Sequence, residues 1–237
     1  MVTMADQRVA IVTAAGRGIG AACARELAAR GYAVALMARS EQIHDLAHEL
    51  GGLGCTGSVT EQADLANLVG QTLERYGRVD ALVNNTGHPA KGPLLEIADA
   101  DWHAALDLLV LNVVRMARLV TPIMERQGGG AIVNVSAFTA VQPDARYPMS
   151  SALRPALSAL TKMYADQYGP ANVRMNSVLL GFVENYELSD ETRATVPLRR
   201  SLTMSEVGRT VAFLVSDDAG GITGQNVRVD GGMTRAL

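Results

Sequence analysis

The stretch TAAGRGIG, Thr13 to Gly20, stands between the apolar run Arg8 to Thr13 and a helical pattern running from Ile19 to Arg30. A short β-rich run, a glycine loop and a helix in immediate succession read as one strand–loop–helix unit. Gly16, Gly18 and Gly20 lack the side chains that would keep a backbone away from a phosphate, and the helix beginning at Ile19 turns its positive end to the same place. The loop therefore predicts an anion cradle made by Thr13, Gly16, Arg17, Gly18, Ile19 and Gly20. Glycine spacing alone defines no family, so the rest of the chain has to agree with it.

Outward from this loop, further β-rich runs occur at Ala33 to Ala38, Cys55 to Val59, Ala81 to Asn84, Ala131 to Val135, Val173 to Leu179 and Asn226 to Val229, with helical patterns between them. Strand and helix in alternation predict an α/β fold with a doubly wound, parallel, seven-stranded sheet and helices on both faces. Right-handed crossovers bring the carboxyl ends of the strands to one edge, where Thr13, Asn84, Ser136 and Gly181 all fall and where such sheets bind ligands. Thr203 with Glu206 reads as a capping box. One domain over residues 1–237 is expected, since 237 residues suit a single α/β core.

Composition narrows the function. The chain is 48% hydrophobic and 4% aromatic, with a formal net charge of -3, and carries no long basic run of the kind that nucleic-acid backbones require. No apolar stretch approaches membrane-spanning length and no signal-peptide pattern opens the chain, so a cytoplasmic location is expected. Cys23 and Cys55 are isolated thiols, read as small core residues. His44 and His48 share an i, i+4 spacing, but nothing else in their helix supports a metal site, and none is expected.

With NNTG at Asn84 to Gly87, Asn112 within a helix, and the ending PLRRSLTMSEVGRTVAFLVSDDAGGITGQNVRVDGG from Pro197 to Gly232, the glycine loop makes nearly the whole chain resemble the short-chain dehydrogenase/reductase family. That resemblance implies a Rossmann-like domain, a homotetramer or homodimer, a small carbonyl substrate and a nicotinamide cofactor. It extends the cofactor site to Arg39, Asn85, Gly87 and Gly181. The second strand ends in Ala38 and Arg39 instead of the carboxylate that would hold a ribose 2′-hydroxyl, and Arg17 lies beside it. Two guanidinium forks suit a 2′-phosphate, hence NADP(H). Departures weaken the match: Ala14 replaces a glycine, Ser58 an adenine-contacting aspartate, Leu180 a proline, and Asn185 a threonine.

The resemblance also implies a serine, a tyrosine thirteen residues on, and a lysine four residues beyond that. Fixing the register from IVNVSA, Ile132 to Ala137, and ALTK, Ala159 to Lys162, these positions read Ala137, Ser150 and Arg154, leaving only Asn112 of the usual set. Placing Tyr147 in the tyrosine position instead requires a three-residue shift, a rotation of roughly 300° of the downstream helix face. Tyr147, Ser150 and Arg154 nevertheless share one helix stripe at i, i+3, i+7, and His88 follows the fourth strand at the crevice. These five residues, Asn112 included, are the candidate catalytic set. A serine hydroxyl is a poor acid and a fixed cation favours developing negative charge, so the first expectation is non-redox chemistry on a carbonyl compound, an isomerisation, cyclisation, elimination or retro-aldol step. The alternatives are an NADPH-dependent ketoreductase that takes its proton from Tyr147 or water, and a non-catalytic nucleotide-binding or partner subunit.

Overall fold

A computed structural model describes residues 7–235. Chain order runs β1 (Val9–Val12), α1 (Gly18–Ala29), β2 (Ala33–Ala38), α2 (Ile43–Glu49), β3 (Leu53–Thr56), α3 (Gln62–Tyr76), β4 (Ala81–Asn84), α4 (Asp99–Leu106), α5 (Asn112–Gln127), β5 (Gly130–Ala137), α6 (Pro148–Tyr168), β6 (Val173–Leu180), α7 (Asp190–Thr195), α8 (Met204–Val215) and β7 (Asn226–Val229). The seven strands form one parallel sheet in the order β3-β2-β1-β4-β5-β6-β7. The order reverses between β1 and β4, which pair through Ala10 with Ala81 and Val12 with Val83, so the crevice of a doubly wound sheet opens above their carboxyl ends.

Both faces of the sheet are buried, as the unbroken apolar strands require. One face packs Val12, Leu36, Val83 and Val133 with Leu27 of α1 and Val207, Val211 and Leu214 of α8. The other packs Ile11, Met37, Leu82 and Ile132 with Leu65 and Leu68 of α3, Met116 and Val120 of α5, and Tyr164 of α6. Cys23 and Cys55 are buried free thiols within these layers. The third strand begins two residues earlier than its apolar pattern suggests, because Leu53 to Thr56 pair with Ala35 to Ala38 while Ser58 already turns to bond Asp64.

Local chemistry marks the ends. Thr203 and Glu206 form the expected capping box of α8, a feature worth about 1 kcal/mol. At the other end of α8, the buried Arg174 of β6 donates to the carbonyls of Leu214, Ser216 and Ile222, a cation against the negative end of the helix. A π-helical turn, Asp107–Leu111, separates α4 from α5 and sets the start of α5 at Asn112. Among the described residues no helix is long and apolar enough to cross a membrane.

Candidate active site

The glycine loop is built to keep its backbone open. The Thr13 hydroxyl donates to the Asn85 carbonyl at 2.8 Å and accepts the Asn85 N–H at 3.0 Å, while the Asn85 amide reaches the Ala14 carbonyl at 3.1 Å. Thr13 and Asn85 thus brace the loop against the end of β4. A Cβ on Gly20 would stand 2.5 Å from the Ala14 oxygen, so the loop closes on α1 only without a side chain there. Gly18 sits at φ +59°, a conformation that glycine adopts without strain. Arg17, the N-cap of α1, offers no side-chain cap, which leaves the N–H groups of the first turn for an incoming anion.

The surroundings fit a dinucleotide. Arg17 and Arg39 are exposed at the ends of the loop and of β2, and neither joins an ion pair among the described residues. Thr86 Oγ1 and Ser136 Oγ, at the carboxyl ends of β4 and β5, and Asn112 Oδ1 at the start of α5 are buried without a hydrogen-bond partner. Buried polar atoms of this kind call for a ligand or water. A Cβ on Gly87 would meet open space, as a surface meant for close approach requires. Gly181 has a further reason to be glycine: a Cβ there would lie 2.8 Å from the Asp230 backbone, so it closes β6 onto the segment after β7.

The crevice floor is a chain of neutral hydroxyls ending in a cation. Ser150 and Arg154 are one helical turn apart on α6, and Arg154 Nε donates to Ser150 Oγ at 2.9 Å while Nη1 donates to the Val135 carbonyl at 3.2 Å. Arg154 is only 6% exposed, and burial pushes its pKa down to about 10, still a cation at neutral pH. Ser150 Oγ lies 3.2 Å from Thr139 Oγ1, on the short turn Phe138–Ala140 that follows β5. Thr139 is a residue that register counting passes over: Ala137 has no hydroxyl, yet one tight turn later Thr139 brings one to face Ser150. A hydroxyl within two residues of a strand end was the available signal. Ser151 is turned to the backbone of Asp144, at 3.0 and 3.1 Å, which keeps it out of the floor.

Around the mouth stand Tyr147, the N-cap of α6, packed edge-on against Phe138 at 6.3 Å between centroids, and Phe182, 5.9 Å from Phe138. His88 Nε2 lies 3.3 Å from the Tyr186 hydroxyl. Burial, with the charges of Arg154 and Lys91, holds its pKa below the usual 6.5, so it is neutral at neutral pH. The structure thus gathers Ser150, Arg154, Tyr147 and His88 at one end of the sheet. His44, by contrast, bonds Thr56 and Glu41 on the surface near β3.

Comparison with known proteins agrees with this fold. Residues 13–234 match a family model described as enoyl-(acyl carrier protein) reductase. Among curated relatives, the 7alpha-hydroxysteroid dehydrogenase of Bacteroides fragilis is 34% identical over 97% of this chain and 95% of its own. The 3-oxoacyl-(acyl-carrier-protein) reductase of Thermotoga maritima is 30% identical over 96% and 98%. Among solved structures, L-sorbose reductase of Gluconobacter frateurii, complexed with NADPH and L-sorbose, superposes with a TM-score of 0.90 at 28% identity, covering 98% of both chains. The chain belongs to the short-chain dehydrogenase/reductase family.

One expectation falls here. Non-redox chemistry followed from the replaced residues at 137, 150 and 154, but relatives that span nearly the whole chain are named for dehydrogenase and reductase activities. The physical reason is that the glycine loop is braced by Thr13 and Asn85 between β1 and β4, apart from the side chains of α6.

Proposed function

We propose that the protein is an NADPH-dependent reductase of small carbonyl compounds with a serine–arginine floor in place of the family's tyrosine and lysine. The observation that carries this reading is the Thr139–Ser150–Arg154 chain beside a cradle fit for a dinucleotide. Arg17, Gly18, Ile19 and Gly20 would hold the pyrophosphate, Arg39 and Arg17 the 2′-phosphate, and Thr86, Ser136 and Asn112 would find partners in the bound cofactor or its waters. Bound NADPH supplies the hydride for such a reduction.

The chain's own residues do the rest. Because Ser150 Oγ accepts from Arg154, its proton is free to turn from Thr139 to a carbonyl oxygen, and Thr139 offers a second donor to the same oxygen. Negative charge that develops on that oxygen is stabilised by Arg154 through Ser150, in a site where burial strengthens the interaction. Tyr147, one turn before Ser150 on the same helix stripe, supplies the proton, with water as the substitute when it is removed. Through the exposed Leu111 before α5 and Met163 on α6 the protein assembles as a homo-oligomer.

Calorimetric titration tests the cofactor assignment. NADPH should bind at least about tenfold tighter than NADH, and Arg39→Asp should reverse the order, because a charge-assisted contact is worth about 1.5–3 kcal/mol. Equal affinities, or tighter NADH binding, would contradict it. In turnover, Ser150→Ala should lower kcat on the order of 10²-fold while nucleotide affinity stays unchanged.

A further inference from the structure

Arg154 is a buried cation whose charge the protein does not answer. A guanidinium has five N–H donors; two bonds are placed, on Ser150 Oγ and the Val135 carbonyl, and both acceptors are neutral. Among the described residues no carboxylate pairs with it. A charge withdrawn from water without an opposite charge is costly and persists where a ligand completes it.

A second cation addresses the same mouth from the rim. Lys91 Nζ stands 4.9 Å from the centre of the Tyr147 ring and 5.9 Å from that of Tyr186, and it too has no carboxylate partner among the described residues. His88, bonded to Tyr186, feels the charges of both Arg154 and Lys91, so it lies within electrostatic reach of each. Of the acids on the flanking segments, Asp144 pairs with Arg146 at 2.6 Å and Glu184 accepts the Met204 N–H at 2.8 Å, while Glu187, next to Tyr186, is exposed to solvent.

We propose that the crevice selects carbonyl compounds carrying a carboxylate beside the reactive carbonyl, the 2-oxo acids, with Arg154 at the floor and Lys91 at the rim sharing the anion. The inference rests on the reductase reading and adds the substrate's charge to it. Adjacency is what the floor suits: the hydroxyls of Ser150 and Thr139 take the carbonyl oxygen, and the remaining donors of the guanidinium, whose Nε is already 2.9 Å from Ser150 Oγ, take the neighbouring carboxylate. Phe138, Tyr147 and Phe182 offer an aromatic wall to the rest of the molecule.

The test compares an acid with its neutral counterpart. Benzoylformate and methyl benzoylformate, which differ in that charge and one methyl group, are titrated calorimetrically into the full chain with and without NADP+. The acid should bind at least about tenfold tighter, and the margin should shrink with added salt. Lys91→Glu, a surface substitution, should cut the acid-over-ester ratio by about tenfold or more, and Arg154→Met should remove it in protein shown by its melting curve to be folded. Equal binding of acid and ester, undetectable binding of the acid, or an unchanged ratio in Lys91→Glu overturns the proposal. NADPH consumption separates the two readings. An acid that binds tightly in all these respects but is never reduced supports the anion site and sinks the reductase, whereas an ester bound and reduced as well as the acid sinks the anion site and leaves the reductase standing.

Discussion

Ala14 holds φ at +47°, in the left-handed region that a methyl-bearing residue enters at a cost of about 1–2 kcal/mol. It does so because the loop must turn between Thr13, fixed to Asn85, and Ala15, whose N–H bonds the Met37 carbonyl at 2.9 Å. Ala14→Gly should relieve this strain, and after the extra chain entropy of glycine a net stabilisation of about 0.5–1 kcal/mol remains, a rise of roughly 1–4 °C in Tm. A melting curve decides it, and a lower Tm would show that the turn carries no strain. At this scale much of the site was legible. Glycine spacing singled out Gly18 and Gly20, and the family resemblance singled out positions 150 and 154; the structure puts Gly18 at φ +59°, leaves no room for a side chain at Gly20, and bonds Arg154 to Ser150. Thr139 and Lys91 were not legible, because their proximity to Ser150 and Tyr147 depends on a tight turn and a loop whose course no local periodicity records.

Among the elements, α6 carries most of the candidate catalytic residues: Tyr147 at its cap and Ser150 and Arg154 in its first two turns, on an unbroken course of 21 residues through Pro155. Its inner stripe, Leu157, Thr161 and Tyr164, is buried, while Met163 is 61% exposed and Leu111, just before α5, is 37% exposed. The family resemblance implies a homotetramer or homodimer, and we propose that these exposed apolar side chains lie in its interface. Light scattering at micromolar concentration should therefore give a multiple of the 25.0 kDa chain mass, and Met163→Glu should shift it toward the monomer. A wild-type protein that is monomeric throughout would refute the interface. The π turn before Asn112 and the Arg174 cap on α8 escaped sequence reading, since both arise from packing between distant elements and not from the pattern of either one.

For the whole molecule, the sheet and its switch point follow from seven apolar runs and the handedness of their crossovers, which is why sequence reading reached the fold. Function was harder to reach: positions 137, 150 and 154 lie on β5 and α6, whereas the glycine loop is held between β1, α1 and β4 by bonds that involve none of them. Weighing the lost groups above the retained cradle led to non-redox chemistry, and relatives named as reductases reverse that weighting. The central claim is that this molecule reduces carbonyls without a tyrosine at position 150. Incubation of the protein with a 2-oxo acid and NADPH carrying deuterium at both C4 positions of the nicotinamide ring, followed by mass spectrometry of the product, tests it most directly. The account predicts a 2-hydroxy acid with deuterium on its carbinol carbon, formed at a rate that falls on the order of 10²-fold in Ser150→Ala; unlabelled product, or nicotinamide that stays fully reduced beside unchanged or rearranged substrate across a panel of carbonyl compounds, would contradict it.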